Sequence, residues 1–174
     1  LGTGVVLENL VVSGGSATSG SGLFCEFTKL TAFNCIFENN TATSSGGGVY
    51  LYIVDSAFEN CSFTNNDASI GGGMYIASGI LTLLNCDFTG NTANDGGGCF
   101  SVGCNADVRG CTFENNSADG FGGGMYFIGG TLRLEESNFV SNQASSYGGA
   151  MYMDQTEGII SRSQFTGNQA SESG

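Results

Sequence analysis

The sequence predicts an all-β protein: a single-stranded parallel β-helix, or solenoid, of about seven coils with 25–26 residues each. Three observations lead there. Phe37, Phe63, Phe88, Phe113, Phe139 and Phe165 recur at steps of 26, 25, 25, 26 and 26 residues, and Val12 holds the same register one step earlier. Other rows share the period: Asn40, Asn66, Asn91, Asn116, Asn142 and Asn168 fall three residues after each Phe, and Ala42, Ala68, Ala93, Ala118, Ala144 and Ala170 five after. Finally, short apolar runs alternate between Gly, Asn, Ser and Thr, with no amphipathic helical block.

Each coil reads as three strands. The first is a run such as Leu81-Thr82-Leu83, matched by Ala106-Asp107-Val108 and Leu132-Arg133-Leu134. Its period of two marks a strand with one buried face. The second is the Cys-x-Phe run, as in Cys35-Ile36-Phe37. A turn carrying the Asn row follows, where a stacked Asn hydrogen-bonds backbone and neighbour and tolerates left-handed conformations. Next come small-residue triplets, Gly46-Gly47-Gly48, Gly71-Gly72-Gly73, Gly96-Gly97-Gly98, Gly122-Gly123-Gly124 and Gly148-Gly149-Ala150. They allow a tight turn with positive φ, and no Lys-Ser/Thr follows to make a phosphate loop. The third strand follows the triplet, as in Met74-Tyr75-Ile76. Three short strands and their turns fill one coil, with like positions stacked about 4.8 Å apart. A propeller blade needs about 40 residues, and a sandwich does not repeat the same side chains at constant spacing.

Residues 1–174 read as one repeat domain, the first copy degenerate and the last truncated. The strand-like opening Val5-Val6-Leu7 and the stop after Asn168-Gln169-Ala170 lead to the expectation of a segment of a longer chain or filament. No charged-then-apolar leader follows Leu1, so any signal peptide is expected to have been removed or to lie outside this segment.

Composition narrows the chemistry. Lys plus Arg is 4 against 16 Asp plus Glu, a formal charge of -12. Nucleic acid and anionic membranes both need clustered cations, so neither is an expected partner. The chain has no His, which removes a His base, a Ser-His-Asp triad and a His-ligated zinc. No apolar run approaches the roughly 20 residues of a membrane span. The basic residues fall opposite acids one coil away: Lys29 with Asp55, Arg133 with Asp107, Arg109 with Glu135 and Arg162 with Glu136. Such pairs are expected to disfavour slipped registers.

Candidate site residues follow the rows. Cys35, Cys61, Cys86 and Cys111 lie two before Phe, on the same inward face. They form either a buried thiol ladder or disulfides between neighbouring coils. Cys99 and Cys104 are candidates for a loop disulfide, and Cys25 lies off the row; with seven Cys, at least one is unpaired. Three glycosylation sequons occur, at Asn39, Asn60 and Asn115. Asn39 and Asn115 are expected to be exposed, Asn60 less accessible beside the Cys row. The aromatic row Phe24, Tyr50, Tyr75, Phe100, Tyr126 and Tyr152 is expected as core or half-buried packing, with an outward sugar-stacking stripe as the alternative. Thr31 and Thr82 share a row that Ala57, Asp107 and Arg133 interrupt, which disfavours an ice-binding lattice.

The motifs Phe-x-x-Asn and Gly-Gly-Ala-(Ile/Leu/Val), seen as Phe37-Glu38-Asn39-Asn40, Phe63-Thr64-Asn65-Asn66 and Gly148-Gly149-Ala150-Met151, resemble the repeats of the chlamydial polymorphic outer membrane proteins. The resemblance spans residues 9 to 170. It implies a right-handed parallel β-helix of the pectin-lyase-like superfamily, exported and displayed at a surface.

The functional expectation is a non-enzymatic extracellular rod: an adhesin stalk, surface layer or filament component. It would need no cofactor or metal, and its partners would be itself or further coils end to end, or glycans and cell-surface proteins. A carbohydrate-binding or polysaccharide-cleaving β-helix is the alternative. Such enzymes need clustered acids, whereas Glu38 and Glu114 share a row three coils apart and Glu135, Glu136 and Asp107 already face arginines.

Overall fold

The structure, a computed structural model, describes residues 4–172. It is a solenoid of stacked parallel strands in three faces, with no helix among the described residues. The Phe strands, such as Ser62–Thr64, Asp87–Thr89 and Thr112–Glu114, make a seven-stranded sheet. The segment after the Gly triplet recurs only six times, from Leu23–Glu26 to Met151–Asp154. The chain therefore completes about six turns rather than seven, because the outermost copies are partial.

Two of the three expected strands are one. Val49–Glu59, Met74–Leu84, Cys99–Arg109 and Met125–Glu135 each run unbroken for 11 residues. Positive φ bends each strand at one point: at Ile53 (φ 51°) and Gly103 (φ 63°) alone, and at the pairs Ser78–Gly79 (φ 62° and 106°) and Gly129–Gly130 (φ 62° and 76°). The bend resets the alternation, so that Cys99 and Cys104, an odd number of residues apart, are both buried. A further sheet escapes period-two reading because its strands are so short: Thr92–Ala93, Ser117–Ala118, Gln143–Ala144 and Gln169–Ala170.

Register is held throughout. Phe88 aligns with Phe63 and Phe113, and Leu83 with Phe58 and Val108. The 26-residue copies place their extra residue between the Ala row and the Gly triplet. Three residues separate Ala118 from Gly122 but only two separate Ala93 from Gly96. The ladders on either side are undisturbed, since Phe113 still aligns with Phe139 and Met125 with Cys99.

The core is a column of stacked rings. Phe37, Phe63, Phe88, Phe113 and Phe139 are fully buried. Their successive centroids lie 5.2, 4.4, 4.6 and 4.6 Å apart and nearly parallel. Phe165, on the last rung, stacks 5.0 Å from Phe139 but is 45% exposed.

Only the first Gly of each triplet has positive φ, for example Gly71 at 65°. The third is needed for a different reason. A Cβ on Gly73 would lie 2.5 Å from the Gly98 carbonyl oxygen, 3.1 Å from Phe88 Cδ1 and 3.2 Å from Asn91 Cγ. Close approach between coils, not φ, excludes a side chain there.

The cations sit at the expected registers, with Asp107 aligned to Arg133 and Arg109 to Glu135. Their ion pairs differ. Arg109 binds Asp107 at 2.6 Å and Arg133 binds Glu135 at 2.9 Å, each two residues along its own strand. Residues i and i+2 share a face, so each arginine reaches the acid beside it as readily as the one in the next coil. Arg162 does pair with Glu136, at 2.9 Å, and also with Glu135 at 3.3 Å. Lys29 and Asp55 form no ion pair among the described residues.

Candidate functional site

Every candidate column has a defined place. Asn40, Asn66, Asn91, Asn116 and Asn142 are completely buried. Asn66 Oδ1 accepts from Asn40 N (3.1 Å) and Asn40 Nδ2 (3.0 Å). Asn66 Nδ2 donates to the Phe37 carbonyl (2.9 Å) and to Asn91 Oδ1 (3.0 Å). The carboxamide is thus saturated by the coils above and below, and Asn168 Nδ2 extends the pattern to the Phe139 carbonyl at 2.8 Å. The left-handed residue is not the ladder Asn but its predecessor, as at Asn39, Asn65 and Asn115. The ladder side chain must point inward from extended backbone, and the turn is made one residue earlier.

Cys35, Cys61, Cys86 and Cys111 stack in the core as free thiols. Cys86 Sγ lies 3.3 Å from the Leu84 carbonyl and 3.4 Å from that of Phe58, while Cys86 N donates to Cys111 Sγ at 3.5 Å. Ser137 and Ser163 continue the column, each accepting from the preceding backbone amide. The Cys86 thiol is pushed up to about 12, first by its hydrogen bond to Cys111. Cys61 is raised further, first by its hydrogen bond to Cys86 and then by burial. Burial, followed by the neighbouring Cys104, drives Cys99 up, and burial leads in pushing Cys104 up to about 11. The loop disulfide expected between Cys99 and Cys104 is absent: both are free. An extended strand advances about 3.3 Å per residue, which separates them well beyond the roughly 7 Å Cα limit for a bridge.

Asn39, Asn60 and Asn115 are all exposed, each in a left-handed turn. Asn60 thus differs from the expectation of poor access: only its neighbour Cys61 points inward, and the corner carries the Asn side chain outward.

The row after the Gly triplet faces outward, half-buried, except Phe100, which is nearly covered, and Phe24, 51% exposed. From Phe24 through Tyr50 and Tyr75 to Phe100 the rings stack at 4.7, 5.1 and 5.5 Å, with interplanar angles of 8° or less. Stacked rings cover one another's faces and present edges to solvent, so along this stretch the ring faces that sugars stack on are taken up by neighbouring rings.

The stack breaks at Tyr126. This ring is turned 72° to Phe100 at 4.9 Å and 78° to Tyr152 at 5.0 Å. It stands on edge between them, with its π faces looking sideways. Phe121 packs 5.8 Å from it, 5.1 Å from Tyr152, and stacks on Tyr147 at 5.7 Å. Phe121 and Tyr147 immediately precede the Gly triplet, where other copies carry Ser45, Ile70 and Asp95. They belong to no row of aromatics, which is why spacing alone passes over them; aligning the residue before each triplet brings them out. Asp95 Oδ1 accepts the Phe121 amide at 3.0 Å. Asp154 lies two residues beyond Tyr152, on the same outward face. Tyr126 is raised above the ordinary phenol range, first by burial and then by Tyr152, Asp95 and Asp154. Tyr147 is raised first by a hydrogen bond to Glu172.

A second surface feature is a polar groove of about 450 Å³ along the shortest strands, lined by residues such as Thr41, Asp67, Thr92, Asn94 and Asp119. Among the described residues no three His, Cys, Asp or Glu side chains are grouped to hold a metal, and no helix is long and apolar enough to cross a membrane.

Comparison with known proteins gives one match. A family model described as a right-handed β-helix region matches residues 21–172. No curated protein and no solved structure matches the chain.

Proposed function

The chain belongs to the right-handed β-helix family, and from that premise we propose that it is a non-enzymatic structural or adhesive rod, displayed outside the cell or on its surface. One observation carries the reading: the side chains of the repeating rows, and the arginines, are engaged with one another within and between coils. Each internal ladder Asn spends its carboxamide on the adjoining coils, as Asn66 does. The outward rings from Phe24 to Phe100 occupy one another's faces. The three arginines are held by Asp107, Glu135 and Glu136. What remains is a repetitive scaffold whose length scales with coil number.

At the last rung Met151, Ile160 and Phe165 line an apolar hollow of about 380 Å³. A further β-helix coil, stacked in register, would cover it, and this is the proposed end-to-end partner. Asn39, Asn60 and Asn115 are the proposed attachment points for glycans in a secretory route that installs them.

Labelling of intact cells with an antibody to the rod, compared with permeabilised cells, tests the location; signal only after permeabilisation rejects it. An assay for glycosidic or uronate cleavage tests the chemistry, and turnover that survives purification rejects the non-enzymatic role. The polar groove at Thr41, Asp67, Thr92 and Asp119 favours a second reading, carbohydrate binding. Retention on a glycan array that Asp67→Ala and Thr92→Val abolish would select it.

A further inference from the structure

We infer that Phe121, Tyr126, Tyr147 and Tyr152, with Asp95 and Asp154, form a surface site that takes the guanidinium of an arginine side chain from a partner protein. The inference is independent of where the rod is displayed, and it starts from ring geometry. In the regular part of the row successive rings lie parallel at 4.7–5.5 Å, so that Tyr50 and Tyr75 are covered on both faces. Tyr126 alone is perpendicular to the ring before it and to the ring after it. Its π faces are therefore uncovered by its row, and Phe121 lies beside it at 5.8 Å, tilted by 53°.

This break lies inside the solenoid, with Phe100 on one side and Tyr152 on the other. Phe121 and Tyr147 sit on the lengthened loops of the 26-residue copies, and there they build a second aromatic wall, parallel to within 7°. Tyr147 is 38% exposed, so the wall reaches solvent.

Electrostatics selects the ligand. Aromatic faces carry negative quadrupole potential and attract cations, and Arg is the side chain that stacks on them most often. Asp95 stands one coil below Phe121, with Oδ1 on the Phe121 amide and no hydrogen bond to Oδ2 among the described residues. Asp154 flanks Tyr152 on the outward face. A planar guanidinium can stack on Tyr126 while its N–H groups reach a carboxylate, which a compact ammonium does less well. The protein's own arginines pair with Asp107, Glu135 and Glu136, on the far half of the long strands or in the turn just past it, so none fills the site. With a net charge of -12, the molecule also attracts a basic partner from a distance.

The test uses N-acetyl-arginine amide as the probe, with the lysine amide and the neutral citrulline amide beside it. The protein lacks Trp and has only 6 Tyr, so tyrosine fluorescence and aromatic NMR signals report directly. The expected result is saturable change at Tyr126, Tyr152 and Phe121 with arginine amide in the millimolar range, weakened by added salt. Asp154→Asn should weaken it about tenfold, as should Tyr126→Leu. Asp154→Asn changes an outward side chain only, so it remains informative if Tyr126→Leu folds poorly. An equal response to citrulline amide overturns the charge argument, an equal response to lysine amide overturns the guanidinium assignment, and unchanged affinity in Asp154→Asn overturns the site.

Discussion

Phe88 lies in the middle of the internal ring column, 4.4 Å from Phe63 and 4.6 Å from Phe113, with no solvent contact. Truncating it leaves a void bounded by rings that are themselves pinned by strand register, so little collapse follows. Phe88→Ala should cost about 3–5 kcal/mol in chemical denaturation, and a loss below about 1 kcal/mol is incompatible with the column. The opposite sign is expected at Ile53. This β-branched residue is held at φ 51° with 47% of its surface exposed. A left-handed backbone costs an ordinary L-residue about 1–2 kcal/mol, and Asn tolerates it better. Ile53→Asn should therefore raise stability by about 1 kcal/mol; a drop in melting temperature would show that the apolar side chain makes a contact that outweighs the strain. The two sites differ in how they can be read from sequence. Phe88 announces itself by recurrence, whereas nothing about Ile53 as a letter marks a left-handed corner, since the same corner is Ser78, Gly103 and Gly129 in other coils.

At the scale of the element, the Gly triplet separates two constraints that composition merges. The leading Gly turns the chain; the trailing Gly allows the next coil to approach. Gly73→Ala should destabilise by about 1–3 kcal/mol through overpacking against the Gly98 carbonyl and the Phe88 and Asn91 side chains. In the copy where Ala150 takes this place, no described coil stacks above it. Native-state hydrogen exchange gives a second readout: the Gly98 and Cys99 amides, bonded to Gly123 and Gly124, should lose protection less than those of Gly73 and Met74, which bond to the neighbouring coil at the mutated rung. Uniform loss along the rod would indicate global unfolding instead. The two halves of each long strand and the Phe strands were legible from alternation and recurrence, but the continuity of the halves was not, because the left-handed bend resets the alternation between them. The two-residue strands such as Thr92–Ala93 were not, because two residues carry no period. Arginine register was legible, but partner choice was not, since an acid two residues along the strand competes with one in the next coil.

Over the whole molecule, the buried thiols tie stability to alkaline pH. Cys86 and Cys104 are held up to about 12 and about 11, against an ordinary value of 9.0. Below that ordinary value both folded and unfolded thiols are protonated, and the contribution to stability is complete. Above it the unfolded chain loses protons that the folded chain keeps, so stability falls as pH rises through the window up to the folded values. Urea midpoints should be flat near neutrality and decline beyond pH 9, with a shallower decline in Cys86→Ala; an identical slope would exclude the Cys86 thiol as a cause. The aromatic and acidic cluster shows why the candidate site was less legible than the fold: Phe121 and Tyr147 break the repeat, and repetition was the only signal available. That same irregularity has an evolutionary reach. One added residue before the triplet leaves Phe113 and Phe139 in register, so mutations that lengthen this loop are nearly invisible to folding selection. Variation can accumulate there coil by coil, and a lineage carrying this scaffold can change what it recognises without first relearning how to fold.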